Sequence, residues 1–157
     1  MSNYNAQKRE NFPKGNNAGK SKHNSPKIDF KETYFKTTYQ YLNNINEENI
    51  ELDMIFNAIS KFVEIECKSI TTTQLRNIYA KIVDCDTVKS LKMLRPNLAY
   101  IAAKQKNAKD VVMFLDQLIQ DVKDDPKQDV EDNKHLISFK KVMEAIVAYH
   151  KFHHNTK

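Results

Sequence analysis

Ile70-Thr71-Thr72-Thr73-Gln74-Leu75-Arg76 is the most sharply specified stretch of this chain. Thr71 can cap a helix through its hydroxyl. Gln74, three residues on, can return a bond to the Thr71 amide, the reciprocal pattern of a capping box, with Ile70 and Leu75 beside it as a hydrophobic staple. Leu75, Ile78, Tyr79, Ile82 and Val83 then recur at the i, i+3, i+4, i+7, i+8 spacing of a helix with one apolar face. The pattern predicts a helix over residues 72–84, with Arg76 at the edge of the apolar stripe in the first turn. A cation there opposes the helix macrodipole, which points to a partner, and a phosphate suits a guanidinium.

Outward from this helix, the sequence has no glycine after residue 27; Gly15 and Gly19 are the only two. That removes glycine-rich phosphate loops from the body, and with them P-loop and dinucleotide-binding folds. It also argues against hairpins, whose tight turns want Asn-Gly or Gly-X. The expectation is an all-α body, a small five-helix bundle. Its helices are placed at about residues 47–66, 72–84, 87–105, 108–122 and 133–153, the first capped by Asn46 with Glu47 and Glu48 favouring its dipole. The inner faces are Ile55, Ile59, Phe62 and Val63; then Val111, Phe114, Leu115, Leu118, Ile119 and Val122; then Leu136, Phe139, Val142, Met143, Ile146 and Tyr149. Residues 28–42 (Phe30, Tyr34, Phe35, Tyr39, Tyr41) are only weakly periodic and read as a short helix or an irregular segment.

The 157 residues suit one domain with a real core. Two domain segments are expected: a disordered basic arm over residues 1–27, a nucleic-acid tether or a solubilising tail, and a helical RNA-binding domain over residues 28–157. Cys67 and Cys85 have no metal or redox spacing and read as small apolar residues in a reducing, cytoplasmic setting. No apolar run approaches the roughly 20 residues of a membrane span, and the polar N-terminus lacks a secretory h-region.

The net charge of +5 comes from the arm; beyond it the signs alternate in blocks. Residues 28–67 carry three basic and eight acidic side chains, 68–109 nine and two, 110–132 two and eight, and 133–157 five and one. Such segregation suits a polyanion on one face and a basic neighbour on another.

In the 87–105 helix, Leu91, Leu94, Leu98 and Ile101 stay in phase across Pro96, so the helix either kinks there or restarts with Pro96 in its first turn. Lys89, Lys92, Arg95, Ala99, Ala103 and Lys106 share the opposite side, a basic stripe that small residues leave open to a bulky backbone. Tyr100 and Lys104, one turn apart beside it, can stack a base and hold its phosphate. A solvated face competes with this reading of the stripe. Lys140, Lys141 and Lys151 add basic points on the last helix. His150 and His154 there form an i, i+4 pair beside His153, a weak metal signal that a frayed cationic helix end explains more simply. No nucleophile–histidine signature is present, and the acidic run Asp121, Asp124, Asp125, Asp129, Glu131, Asp132 reads as a solvated loop.

Three blocks resemble the small subunit of the type III-A CRISPR effector, the Csm complex: residues 70–76; Leu94-Arg95-Pro96-Asn97-Leu98-Ala99-Tyr100 with Ala102-Ala103-Lys104; and Phe139 with Met143-Glu144-Ala145-Ile146-Val147-Ala148-Tyr149-His150-Lys151. They occur in the family's order over about residues 70–151. Where that family usually has Ala-Gly-Arg, this chain has Ala102-Ala103-Lys104, which keeps the cation and loses the guanidinium fork. The resemblance implies a helical subunit with no catalytic activity or cofactor. It implies contact with target single-stranded RNA and the crRNA–target duplex. The implied protein partners are the large polymerase-cyclase subunit, the crRNA-holding backbone subunits and copies of itself. The expected RNA contacts are Arg76, Lys92, Arg95 and Lys104, with Tyr100 stacking and Lys81, Lys140 and Lys141 as weaker candidates; Glu144 and Tyr149 are read as structural. The alternatives are the type III-B small subunit, a helical protein-interaction adaptor and, third, a helical ribonuclease or metal-dependent hydrolase.

Overall fold

The computed structural model describes residues 26–43, 51–124 and 133–155, and every regular element among them is helical. A π-helical turn, Lys31–Phe35, leads into α1 (Lys36–Asn43). Then come α2 (Leu52–Glu66), α3 (Thr72–Val83), α4 (Val88–Lys92), α5 (Arg95–Lys104), α6 (Lys109–Asp121) and α7 (Lys134–His154). The body is thus the expected helical bundle, with its aromatic N-terminal stretch helical and its proline-containing helix divided in two.

The capping box at the start of α3 forms on both sides. The Gln74 amide donates to Thr71 Oγ1 at 3.2 Å, and the Thr71 amide donates to Gln74 Oε1 at 2.8 Å. Ile70 and Leu75 are both buried as the staple requires. At the proline, Thr87 and Ser90 build a second capping box for α4. The chain turns at Met93–Leu94, and α5 restarts with Pro96 in its first turn, where a missing amide hydrogen leaves no bond unmade. Asn46, Glu47 and Glu48 lie outside the described residues; the described part of α2 begins at Leu52, after Glu51.

Helix α7 packs against α1, α2 and α3, while α5 packs on α6. Aromatic rings join these two groups. Phe62 of α2 lies 5.3 Å from Phe114 of α6, and Phe35 stands edge-on to both at 5.0 and 4.7 Å. Phe30 closes the cluster at 5.3 Å from Phe62 and 5.5 Å from Phe114. All the inner-face residues expected on α2, α6 and α7 are buried, except Tyr149, which is half-buried against the core. Val83 departs from the α3 pattern: it is exposed, at the last turn where α3 ends. The aromatic stretch is tied down further by Lys31, which pairs with Asp121 at 3.2 Å and sits over the Tyr39 ring, and by Tyr34, whose hydroxyl donates to Glu66 at 2.8 Å.

Truncating Phe35 should therefore open a cavity between α2 and α6, which Phe62 and Phe114 still bridge directly. Phe35→Ala is expected to cost about 3–5 kcal/mol in a urea titration, the usual range for a fully buried ring; a loss under about 1 kcal/mol would mean that Phe35 does not help to join the two helix groups.

Candidate nucleic-acid interface

A helix leaves its last carbonyls without intrahelical donors. A left-handed glycine just past the end commonly supplies the turn that satisfies them. No described residue has a positive φ. Side chains from neighbouring helices take over this role. His135 Nδ1 donates to Leu42 O at the end of α1, 2.7 Å away. His150 Nε2 donates to Cys67 O and Ile70 O just beyond α2 at 3.1 and 2.8 Å, and His154 Nε2 adds a second bond at 2.9 Å to Val63 O, which also accepts the Cys67 amide. Lys140 Nζ donates to Val83 O at the end of α3 at 2.9 Å, and Lys92 Nζ to Gln120 O at the end of α6 at 3.3 Å. A cationic or polar donor at a helix C-terminus also complements the macrodipole.

This sorts the cations expected to face RNA. Lys92 and Lys140 are occupied with helix ends. Arg95 is turned toward α6, where Nε and Nη2 reach Asp116 Oδ1 and Oδ2 at 3.0 and 3.2 Å; that hydrogen-bonded pairing raises the guanidinium pKa further. Lys81 donates to Asn97 Oδ1 at 2.8 Å and so ties α3 to α5. The stripe from Lys89 to Lys106 is not one line, because the break before α5 sends Lys92 and Arg95 onto α6.

Among the described residues, Arg76 and Lys141 have no side-chain hydrogen bond or ion pair, and both are exposed. Arg76 is the fifth helical residue after the Thr71 cap, one position past the first turn, so it escapes most of the dipole cost expected there. On α5, Tyr100 is 62% exposed with Lys104 Nζ 5.9 Å from its ring centroid, beside exposed Ala99 and Ala103. Glu144 is exposed on α7 and acts on Tyr79, whose pKa is raised by burial and then by this carboxylate.

The C-terminal histidines are neither a metal pair nor a frayed end. His150 is 2% exposed, its Nδ1 bonded to Thr72 Oγ1 at 2.8 Å. His153 Nε2 and Ser60 Oγ form a further bond at 2.8 Å, and the His150 and His154 rings lie 4.7 Å apart. Because carbonyls only accept, Nε2 of His150 carries the proton, and its neutral Nδ1 accepts from the Thr72 hydroxyl. Burial holds the His150 pKa below its ordinary 6.5, with the two carbonyls opposing that shift and His154 adding to it. Burial pushes Cys67 up, with Glu66 adding to the shift, which makes it an inert thiol; Tyr34 rises to about 12 through burial and then Glu66. Of the acidic run, Asp121 pairs with Lys31, and residues 125–132 lie outside the described residues.

Sequence reasoning missed the helix-end caps. Their signal was present all the same: helix ends without glycine and, beyond the N-terminal arm with its His23, four histidines that all fall in the last helix.

The fold and its charges define a small helical protein with exposed cations at Arg76 on α3 and Lys104 on α5 and an acidic block around α6. A family model described as Csm2 Type III-A matches residues 47–156, which takes in α2 to α7. The chain belongs to that family, the small subunit of the type III-A CRISPR Csm complex. No curated protein and no solved structure matches the chain. No helix among the described residues is long and apolar enough to cross a membrane.

Two outcomes are expected of the groups committed to the fold. Arg95→Ala strands the buried Asp116 carboxylate and should lower the thermal unfolding midpoint; an unchanged midpoint would mean that the pair is not needed. His150 has a lowered folded pKa, so its contribution is complete above the unfolded value of 6.5 and is lost as pH falls through the folded value. Thermal unfolding followed from about pH 7.5 to 5 should therefore show stability falling with acid, and His150→Gln should remove part of that fall.

Proposed function

We propose that this chain is a non-catalytic, RNA-lining subunit of its cytoplasmic complex. It contacts target single-stranded RNA and the crRNA–target duplex through their backbones, whatever their sequence. The observation that carries this reading is the Tyr100–Lys104 pair, an exposed ring with a cation beside it and small residues around it, on the helix that Lys81 ties to α3. A ring and a cation so arranged can stack a base and hold its phosphate without reading the base edge. Arg76, Lys104 and Lys141 are the phosphate contacts in this reading, and Tyr100 is the stacking platform. Lys81, Lys92, Arg95 and Lys140 serve first to hold the helices that present them. The commitment of His135, His150, His153 and His154 to hydrogen bonds within the fold supports a role without catalysis. Base pairing with the guide then supplies the sequence specificity. The acidic block around α6 faces basic surfaces of the backbone subunits, the large polymerase-cyclase subunit or another copy.

The test is fluorescence anisotropy of the full chain with labelled single-stranded RNAs of unrelated sequence across a salt series. Arg76→Ala and Lys104→Ala should each weaken binding to all RNAs alike and reduce the salt slope by about 0.7. Tyr100→Ala should weaken binding by about 1–3 kcal/mol with little change in slope. Wild-type protein that shows no binding at low salt would overturn this reading and favour an adaptor whose charged faces meet only proteins.

A further inference from the structure

We infer that His150 is a positioning residue for the RNA-facing edge: it locks the first turn of α3 to the end of α2 and so sets where Arg76 stands. This rests on the reading of Arg76 as a phosphate contact. One buried ring holds three groups on a short stretch of chain. Nε2 reaches Cys67 O at 3.1 Å and Ile70 O at 2.8 Å, and Nδ1 reaches Thr72 Oγ1 at 2.8 Å. These partners bracket the link between α2 and α3, and Thr72 is the first residue of α3. Arg76 follows Thr72 by four residues, so it stands one turn further along the same edge of the helix. Packing of Leu75, Ile78 and Ile82 fixes the sideways position of α3, since apolar contact is not directional. The hydrogen bonds of His150 add what such packing lacks, the height and rotation of the first turn. The lock comes from a distant part of the sequence, 78 residues beyond Thr72, and Arg76 itself touches none of it.

Two measurements on the full chain test this, with His150→Ala, Thr72→Val, Arg76→Ala and the His150→Ala/Arg76→Ala double variant. In the RNA salt series, His150→Ala should lose about the same 0.7 of slope as Arg76→Ala, and the double variant should lose no more than either alone. A merely structural role would leave the slope unchanged or make the two losses add, and either result overturns the inference. Thr72→Val, which removes a single bond and leaves the ring packed, should lower affinity in the same direction by a smaller factor, so the test survives if His150→Ala fails to fold. His150→Gln, which keeps a donor for the carbonyls, should recover part of the slope. Hydrogen exchange of the amides at residues 72–76 separates the two claims. Faster exchange there in His150→Ala, with no RNA binding by wild type, removes the RNA reading while the lock stands. Exchange at the wild-type rate removes the lock itself.

Discussion

Backbone carbonyls at helix ends need donors, and this chain meets that need without glycine. A chain of helices joined by left-handed glycine turns closes each end locally, within a few residues. Here the body has no glycine, and the ends of α1, α3 and α6 are met by His135, Lys140 and Lys92, while His150 meets the carbonyls just past α2. Each of these donors lies on another helix, so closing a helix end also fixes its neighbour. Helix α7 supplies most of them, and it packs against α1, α2 and α3.

This arrangement bears on function. A lysine that caps a carbonyl is held in place and has spent part of its hydrogen-bonding capacity, so the charge count of the basic block overstates what is free to meet a phosphate. Nine cations lie in residues 68–109, yet Lys81, Lys92 and Arg95 each have an internal partner. Six remain without an internal hydrogen bond or ion pair among the described residues, Lys68, Arg76, Lys89, Lys104, Lys106 and Lys109, and of these Lys104 lies beside an exposed ring, that of Tyr100. Arg95 marks the seam between the two charge regions, since its guanidinium lies on the Asp116 carboxylate of α6 at 3.0 Å.

The family match starts at residue 47, but the core does not. Phe30 and Phe35 lie before it and complete the ring cluster between α2 and α6. The aromatic segment was hard to read because its rings follow a π-turn, which shifts the residue spacing away from 3.6.

Several features were legible in the sequence alone. Periodicity located the inner faces of α2, α6 and α7 because burying an apolar stripe is a local demand on every helix. The capping box at Thr71 and Gln74 was legible because its bonds span only three residues. The all-α class followed from the missing glycines together with the strong 3.6-residue periodicity. Only the tertiary structure decided which cations face outward and what the histidines do. Lys92 with Gln120, Lys140 with Val83 and His150 with Thr72 are separated by 28, 57 and 78 residues. A bond of that reach depends on how whole helices pack, and a helical wheel, which places a side chain only around its own axis, carries no record of it.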